Sequence, residues 1–109
     1  MKMITAIIRP EAVEDVKRAL ENKGFSGLTV CEAMGRGEQK GISLKSGNGE
    51  TRIDLLPKTR LEIAVPDEKE ALAVEAILSS ARTGKIGDGR IFVSSLERSI
   101  RVRTGEVQS

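Results

Sequence analysis

Histidine, tyrosine and tryptophan are absent from this chain of 109 residues, and cysteine occurs once, as Cys31. Without histidine there is no Ser-His or Cys-His nucleophile pair and no imidazole metal ligand. A single cysteine makes neither an intramolecular disulfide nor a cysteine zinc cluster. Phe25 and Phe92 are the only aromatic residues, so the stacking platform of an RNA-recognition module has little to build on. No stretch approaches the roughly 20 continuous apolar residues of a membrane-spanning helix. The opening run, Met1 to Pro10, is too short and too soon broken for a signal peptide. A net charge of +2 is too small for a general nucleic-acid binder. What is left fits one cytoplasmic domain over residues 1–109, with 39% hydrophobic residues to fill a modest core.

Met3 to Ile8 is apolar on both alternating faces, as in a strand buried on both sides. Arg9-Pro10-Glu11 follows, and Pro10 suits the first turn of a helix because its missing N–H is no loss there. Val13, Val16 and Leu20 then form one apolar stripe at helical spacing, and Gly24 is placed to be the left-handed cap that ends the helix. Leu28 to Met34 reads as a second strand. The pattern then repeats: Leu61, Ile63 and Val65 alternate as a strand. Pro66-Asp67 opens a second helix, with Asp67 and Glu70 spaced like a capping box. Val74, Ile77 and Ala81 make its stripe, widened by Leu78, and Ile91-Phe92-Val93 is the fourth strand. The order β-α-β-β-α-β predicts an α+β, ferredoxin-like sandwich with two helices on one sheet face. The other face then meets further subunits, since the core of one chain is thin. Between the halves, 37–55 shows no sustained period and reads as a long functional or floppy connection.

Three clusters carry chemistry. Thr83-Gly84-Lys85-Ile86-Gly87-Asp88-Gly89-Arg90 lets backbone N–H groups converge beside Lys85 and Arg90, the chemistry of an anion cradle. It is not a Walker A loop, because Ile86 follows Lys85, and for the segment taken alone a plain helix-to-strand turn is the safer reading. Arg101-Val102-Arg103, if extended, aims two guanidiniums one way, suited to polyphosphate oxygens, though a solvated basic tail fits too. Gly35-Arg36-Gly37-Glu38-Gln39-Lys40-Gly41 is a further glycine-basic cluster. Lys58 and Glu62, four apart on a strand, share a face. A small phosphoryl transferase with Asp88 or Glu62 as general base competes with these readings, as does, more weakly, an RNA-binding module.

Taken in order, these clusters with Asp54-Leu55-Leu56-Pro57-Lys58 and Arg101-Val102-Arg103-Thr104-Gly105-Glu106 closely resemble the PII nitrogen-regulatory signal-transduction proteins, from Met1 through Glu106. The most specific part is Thr83 to Val93. The resemblance implies a homotrimer that binds ATP or ADP between subunits and regulates without being an enzyme. Its T-loop falls at 37–55, its B-loop at 82–90 and its C-loop at 101–106.

By the same resemblance, Gly87, Asp88, Gly89 and Arg90 hold phosphates from one subunit, and Arg101 and Arg103 from its neighbour. Thr29, Glu62 and Ala64 border adenine and ribose, Gly37 and Glu38 close over the nucleotide, and Gln39 and Lys58 complete its site. Gln39 matches the family's ligand for Mg2+, and Lys58 with Gln39, Lys40 and Gly41 matches the 2-oxoglutarate site. The implied partner is an ammonium transporter, bringing the protein to the membrane through that contact, with Lys45 and Arg52 as candidate contacts. Nitrogenase or an enzyme of the glutamine synthetase type is the alternative target. Relatives carry a modified tyrosine or serine in the T-loop where this chain has Thr51 and Gly49; Ser43 and Ser46 remain as acceptors, and regulation is expected to run on ligands alone.

Overall fold

The computed structural model describes residues 1–36, 42–46, 49–53 and 55–109, with the backbone alone for 42–46 and 49–53. Four strands form the main sheet: β1 (Lys2–Ile8), β2 (Thr29–Gly35), β5 (Leu56–Val65) and β6 (Gly89–Ser95). Their order is β2-β5-β1-β6, every pair antiparallel. Two helices, α1 (Val13–Asn22) and α2 (Glu70–Ala81), follow β1 and β5. This is the ferredoxin-like arrangement expected from the repeated pattern.

The core lies between sheet and helices. Ile4, Ala6 and Ile8 of β1, Leu61, Ile63 and Val65 of β5, and Val16 and Leu20 of α1 are buried there. Burying each of the larger side chains contributes about 1.5–3 kcal/mol. In α2 the buried residues are Ala73, Ala76 and Ile77, whereas Val74 and Ala81 pack at the edge of the cluster. The stripe is thus turned from the one expected, because the alanines let α2 come close to its neighbours and the larger Val74 and Leu78 flank the contact.

Several local expectations are corrected. Pro10 opens a 3-10 turn, Pro10–Ala12, and the α-helix begins only at Val13. The capping box at Asp67 does not form: Asp67–Lys69 is another 3-10 turn, and neither it nor α2 has a side-chain cap. The Asp67 carboxylate instead accepts from the Met1 ammonium at 2.6 Å, a charge pair that outcompetes a neutral amide. Within 37–55, β3 (Ile42–Ser46) pairs with β4 (Gly49–Ile53) as a two-stranded ribbon. Ile42, Leu44, Thr51 and Ile53 do alternate with polar residues, a short period-two signal hidden by the surrounding glycines. Finally, 101–104 is a turn, not an extended segment, between β7 (Ser99–Ile100) and β8 (Val107–Gln108). The premise that placed Arg101 and Arg103 side by side on a strand therefore falls. Gly24, at φ +90°, does end the first helix as expected.

Candidate functional site

The antiparallel ladder between β1 and β6 opposes Ile8 to Gly89. Arg9, one residue past the strand, thereby stands beside Asp88, one residue before its partner strand. Around this junction 82–90 is tied to the rest of the fold. The Asp88 carboxylate accepts from the Thr83 N–H and the Gly84 N–H, each at 2.8 Å, on Oδ2. On Oδ1 it accepts from the Thr83 hydroxyl and from Arg9 Nε, the latter at 3.3 Å. A carboxylate offers about four acceptor positions, so this one is fully used. The Thr83 hydroxyl foremost, then the two backbone N–H groups and Arg9, hold the Asp88 carboxyl far below the usual carboxylate range.

Arg9 reaches further. Its Nη2 donates to the Ile86 carbonyl at 2.5 Å, and its guanidinium lies 3.1 Å from where a side chain on Gly87 would begin. Lys58, from β5, donates to the Gly87 carbonyl at 2.9 Å. Gly84, Gly87 and Gly89 all have positive φ, at +83°, +98° and +111°. At Gly89 a Cβ would sit 1.8 Å from the Ile7 carbonyl oxygen, so no other residue fits. The resulting loop is glycine-lined and basic, with exposed Lys85 and Arg90 on it. Such a loop suits a polyphosphate, since backbone N–H groups approach where side chains are missing.

The open sheet face continues the site. Register aligns Thr29, Glu62, Thr5 and Phe92 across the four strands, with Cys31, Arg60, Ile7 and Arg90 in the next row. Glu62 accepts from the Thr5 hydroxyl at 3.3 Å and pairs with Arg60 at 3.9 Å. Ala64 is exposed one pleat further along the same strand face.

The family model for nitrogen regulatory protein P-II matches residues 1–106. The chain is 55% identical over 106 residues to nitrogen regulatory protein P-II 2 of Methanothermobacter thermautotrophicus, covering 97% of this chain and 92% of that one. It is 50% identical to the nitrogen regulatory protein P-II of Rhodobacter capsulatus and 49% to that of Haemophilus influenzae, covering 97% of this chain and 95% of each. The chain belongs to the PII family.

Proteins of the PII family are named as regulatory proteins. Of the residues expected at the PII site, the fold brings Lys58, Gly87, Asp88, Gly89 and Arg90 together at one end of the sheet, with Thr29, Glu62 and Ala64 along its open face. The Asp88 side chain is taken up within the fold, its carboxylate accepting from Thr83, Gly84 and Arg9. Arg101 and Arg103 lie in the C-terminal turn, where a hollow of about 180 Å³ is lined by Ser99, Ile100, Arg101, Glu106 and Gln108. Gly37, Glu38, Gln39, Lys40 and Gly41 lie outside the described residues, as do the side chains of Lys45 and Arg52. Among the described residues no cluster of three acidic, histidine or cysteine side chains could hold a metal. Nor is any helix of the described residues long and apolar enough to cross a membrane.

The sequence pattern missed Arg9 as part of the site, and it placed Thr83 in the cluster without giving its side chain a role. The signal for Arg9 was positional: once β1 and β6 pair, Arg9 must fall beside the loop.

Proposed function

We propose that this PII protein is a cytoplasmic homotrimer that senses ATP, ADP and 2-oxoglutarate and controls an ammonium transporter through 37–55. The observation that carries the reading is the braced loop at 82–90, shaped by three left-handed glycines and set against Lys58. Gly87, Gly89, Arg90 and the backbone of Asp88 would hold phosphates. Arg101 and Arg103 of a neighbouring subunit would complete the charge, and Thr29, Glu62 and Ala64 would border the nucleoside, with Gly37 and Glu38 closing over it. Charge-assisted contacts of this kind are roughly twice as strong as neutral ones.

Mg2+ would be held by Gln39 together with phosphate oxygens. With no acidic cluster to bind it independently among the described residues, metal binding should require nucleotide. The dicarboxylate then falls to Lys58, Gln39, Lys40 and Gly41, so ATP and 2-oxoglutarate raise each other's affinity. With no tyrosine available for nucleotidylation, these ligands alone set the conformation of 37–55, and Lys45 and Arg52 meet the target.

Calorimetry decides the sensing step. ADP and Mg-ATP should bind, and 2-oxoglutarate only with Mg-ATP. Absence of binding by either nucleotide overturns the reading; absence of 2-oxoglutarate binding under saturating Mg-ATP removes only that effector. Transporter-containing membranes should retain the ADP-loaded protein and release it with Mg-ATP and 2-oxoglutarate. Retention indifferent to ligand contradicts the target, and capture by nitrogenase or a glutamine synthetase instead would replace it.

A further inference from the structure

One cluster beside the site ties the 82–90 loop to itself and to the end of the first strand. Arg9 follows β1, Thr83 lies just past α2, and Asp88 immediately precedes β6. All the acceptor positions of Asp88 are occupied within the chain, and its charge would repel a phosphate. The groups that converge on it fix the backbone at 83–84 and, through Arg9, the carbonyl of Ile86. The Arg9 fork serves two acceptors at once, which the single nitrogen of lysine does not reproduce. Gly87 is pressed against that same guanidinium, so the path of the loop over Arg9 is set by contact as well as by hydrogen bonds.

We propose that Arg9 and Thr83 are positioning residues for nucleotide binding, acting through the Asp88 carboxylate to hold the 82–90 backbone in phosphate-accepting form without touching the nucleotide. The inference rests on the nucleotide reading above. Thr83 also donates nothing to solvent-facing ligands through its hydroxyl, which is spent on Asp88 while its oxygen accepts from the Lys85 N–H at 3.1 Å. Each residue thus completes a closed circuit inside the loop.

The test is ADP calorimetry on the full chain and on Thr83→Val, Thr83→Ser, Arg9→Met and Arg9→Lys, with an NMR titration of the Asp88 side-chain carboxyl carbon. Thr83→Val and Arg9→Met should each weaken ADP about tenfold, the loss expected when one charge-assisted bond is removed. Thr83→Ser should bind within about threefold of the unaltered chain, because it restores the hydroxyl, and Arg9→Lys should fall between. The Asp88 midpoint should rise toward its ordinary 3.8 in Thr83→Val and Arg9→Met, a change that general destabilisation does not produce. If Arg9→Met does not fold, the two Thr83 variants decide, since Thr83 is an exposed loop residue. An unaltered chain that binds neither ADP nor ATP overturns the nucleotide reading and this role with it. An unaltered chain that binds, with all variants equal to it, overturns the positioning role alone. Thr83→Ser as weak as Thr83→Val does the same.

Discussion

Two short basic segments with glycines, 82–90 and 101–106, are both closed by local bonds, but only the first is also tied across the fold. The first is closed locally by the Asp88 carboxylate, which accepts from Thr83 and Gly84, and is also tied to residues far away in sequence: Arg9, just past β1, and Lys58 from β5 both bond to it. The second is held by its own neighbours. Gly105 donates to the Arg101 carbonyl at 2.7 Å, Arg101 to the Glu106 carbonyl at 2.8 Å, and Glu106 to the Thr104 hydroxyl at 3.1 Å. Val102 at its tip is fully exposed. A loop tied across the fold keeps its shape as long as the fold persists, whereas a turn closed on itself opens at little cost. One half of the proposed nucleotide site is therefore ready-made in the single chain, and the other awaits a surface to rest on.

Substitution at the glycines should break the contrast most strongly. Gly89→Ala drives a methyl group into the Ile7 carbonyl at a positive φ, and should destabilise the fold by about 3 kcal/mol or prevent folding. Gly105→Ala has the same kind of backbone strain, φ +74°, but open space around it. It should cost about 1 kcal/mol, confined to the C-terminal turn. Urea unfolding of the two variants measures the difference.

The next effect in size is at Lys58. Lys58→Met removes the donor to the Gly87 carbonyl and should lower stability by about 1–2 kcal/mol, by the same measurement. A substitution of Thr104 to Ala, which removes only a local bond in the turn, should cost about 0.5 kcal/mol or less.

A smaller and pH-dependent effect comes from Asp88. Its folded-state value is depressed, so its contribution is fully present above the unfolded value near 3.8 and is lost as pH falls through the lower folded value. The stability gap between the unaltered chain and Asp88→Asn should hold constant from about pH 7 to 5 and narrow below about pH 4. A gap that changes between neutral pH and 5 contradicts the donor set described for Asp88. Asp67, lowered mainly by its bond with the Met1 ammonium and in the same direction, should give a fainter version of this dependence in Asp67→Asn.

The contrast also marks what the sequence could disclose. The alternation of Leu61, Ile63 and Val65 and the stripe of Val16 and Leu20 were legible because burial on one face leaves a period. So were the glycines of 82–90, whose spacing alone suggests converging N–H groups. Hidden were the contacts that hold the loop, because Arg9 and Asp88 lie 79 residues apart and only strand register brings them together. The use of the Asp88 side chain within the loop was hidden with them. The turn at 101–104 was misread for the converse reason. Two arginines spaced by two fit a strand, but a local bond at Gly105 closes the chain before a strand can form.

Residue-resolved hydrogen exchange on the full chain, with and without ADP, tests most directly the claim that one segment is ready-made and the other is not. The Thr83 and Gly84 amides, donated to Asp88, should exchange slowly before any nucleotide is added, while the Arg101 and Gly105 amides exchange quickly and slow only with ADP. Thr83 and Gly84 amides that exchange at unstructured rates until ADP is added would contradict the account.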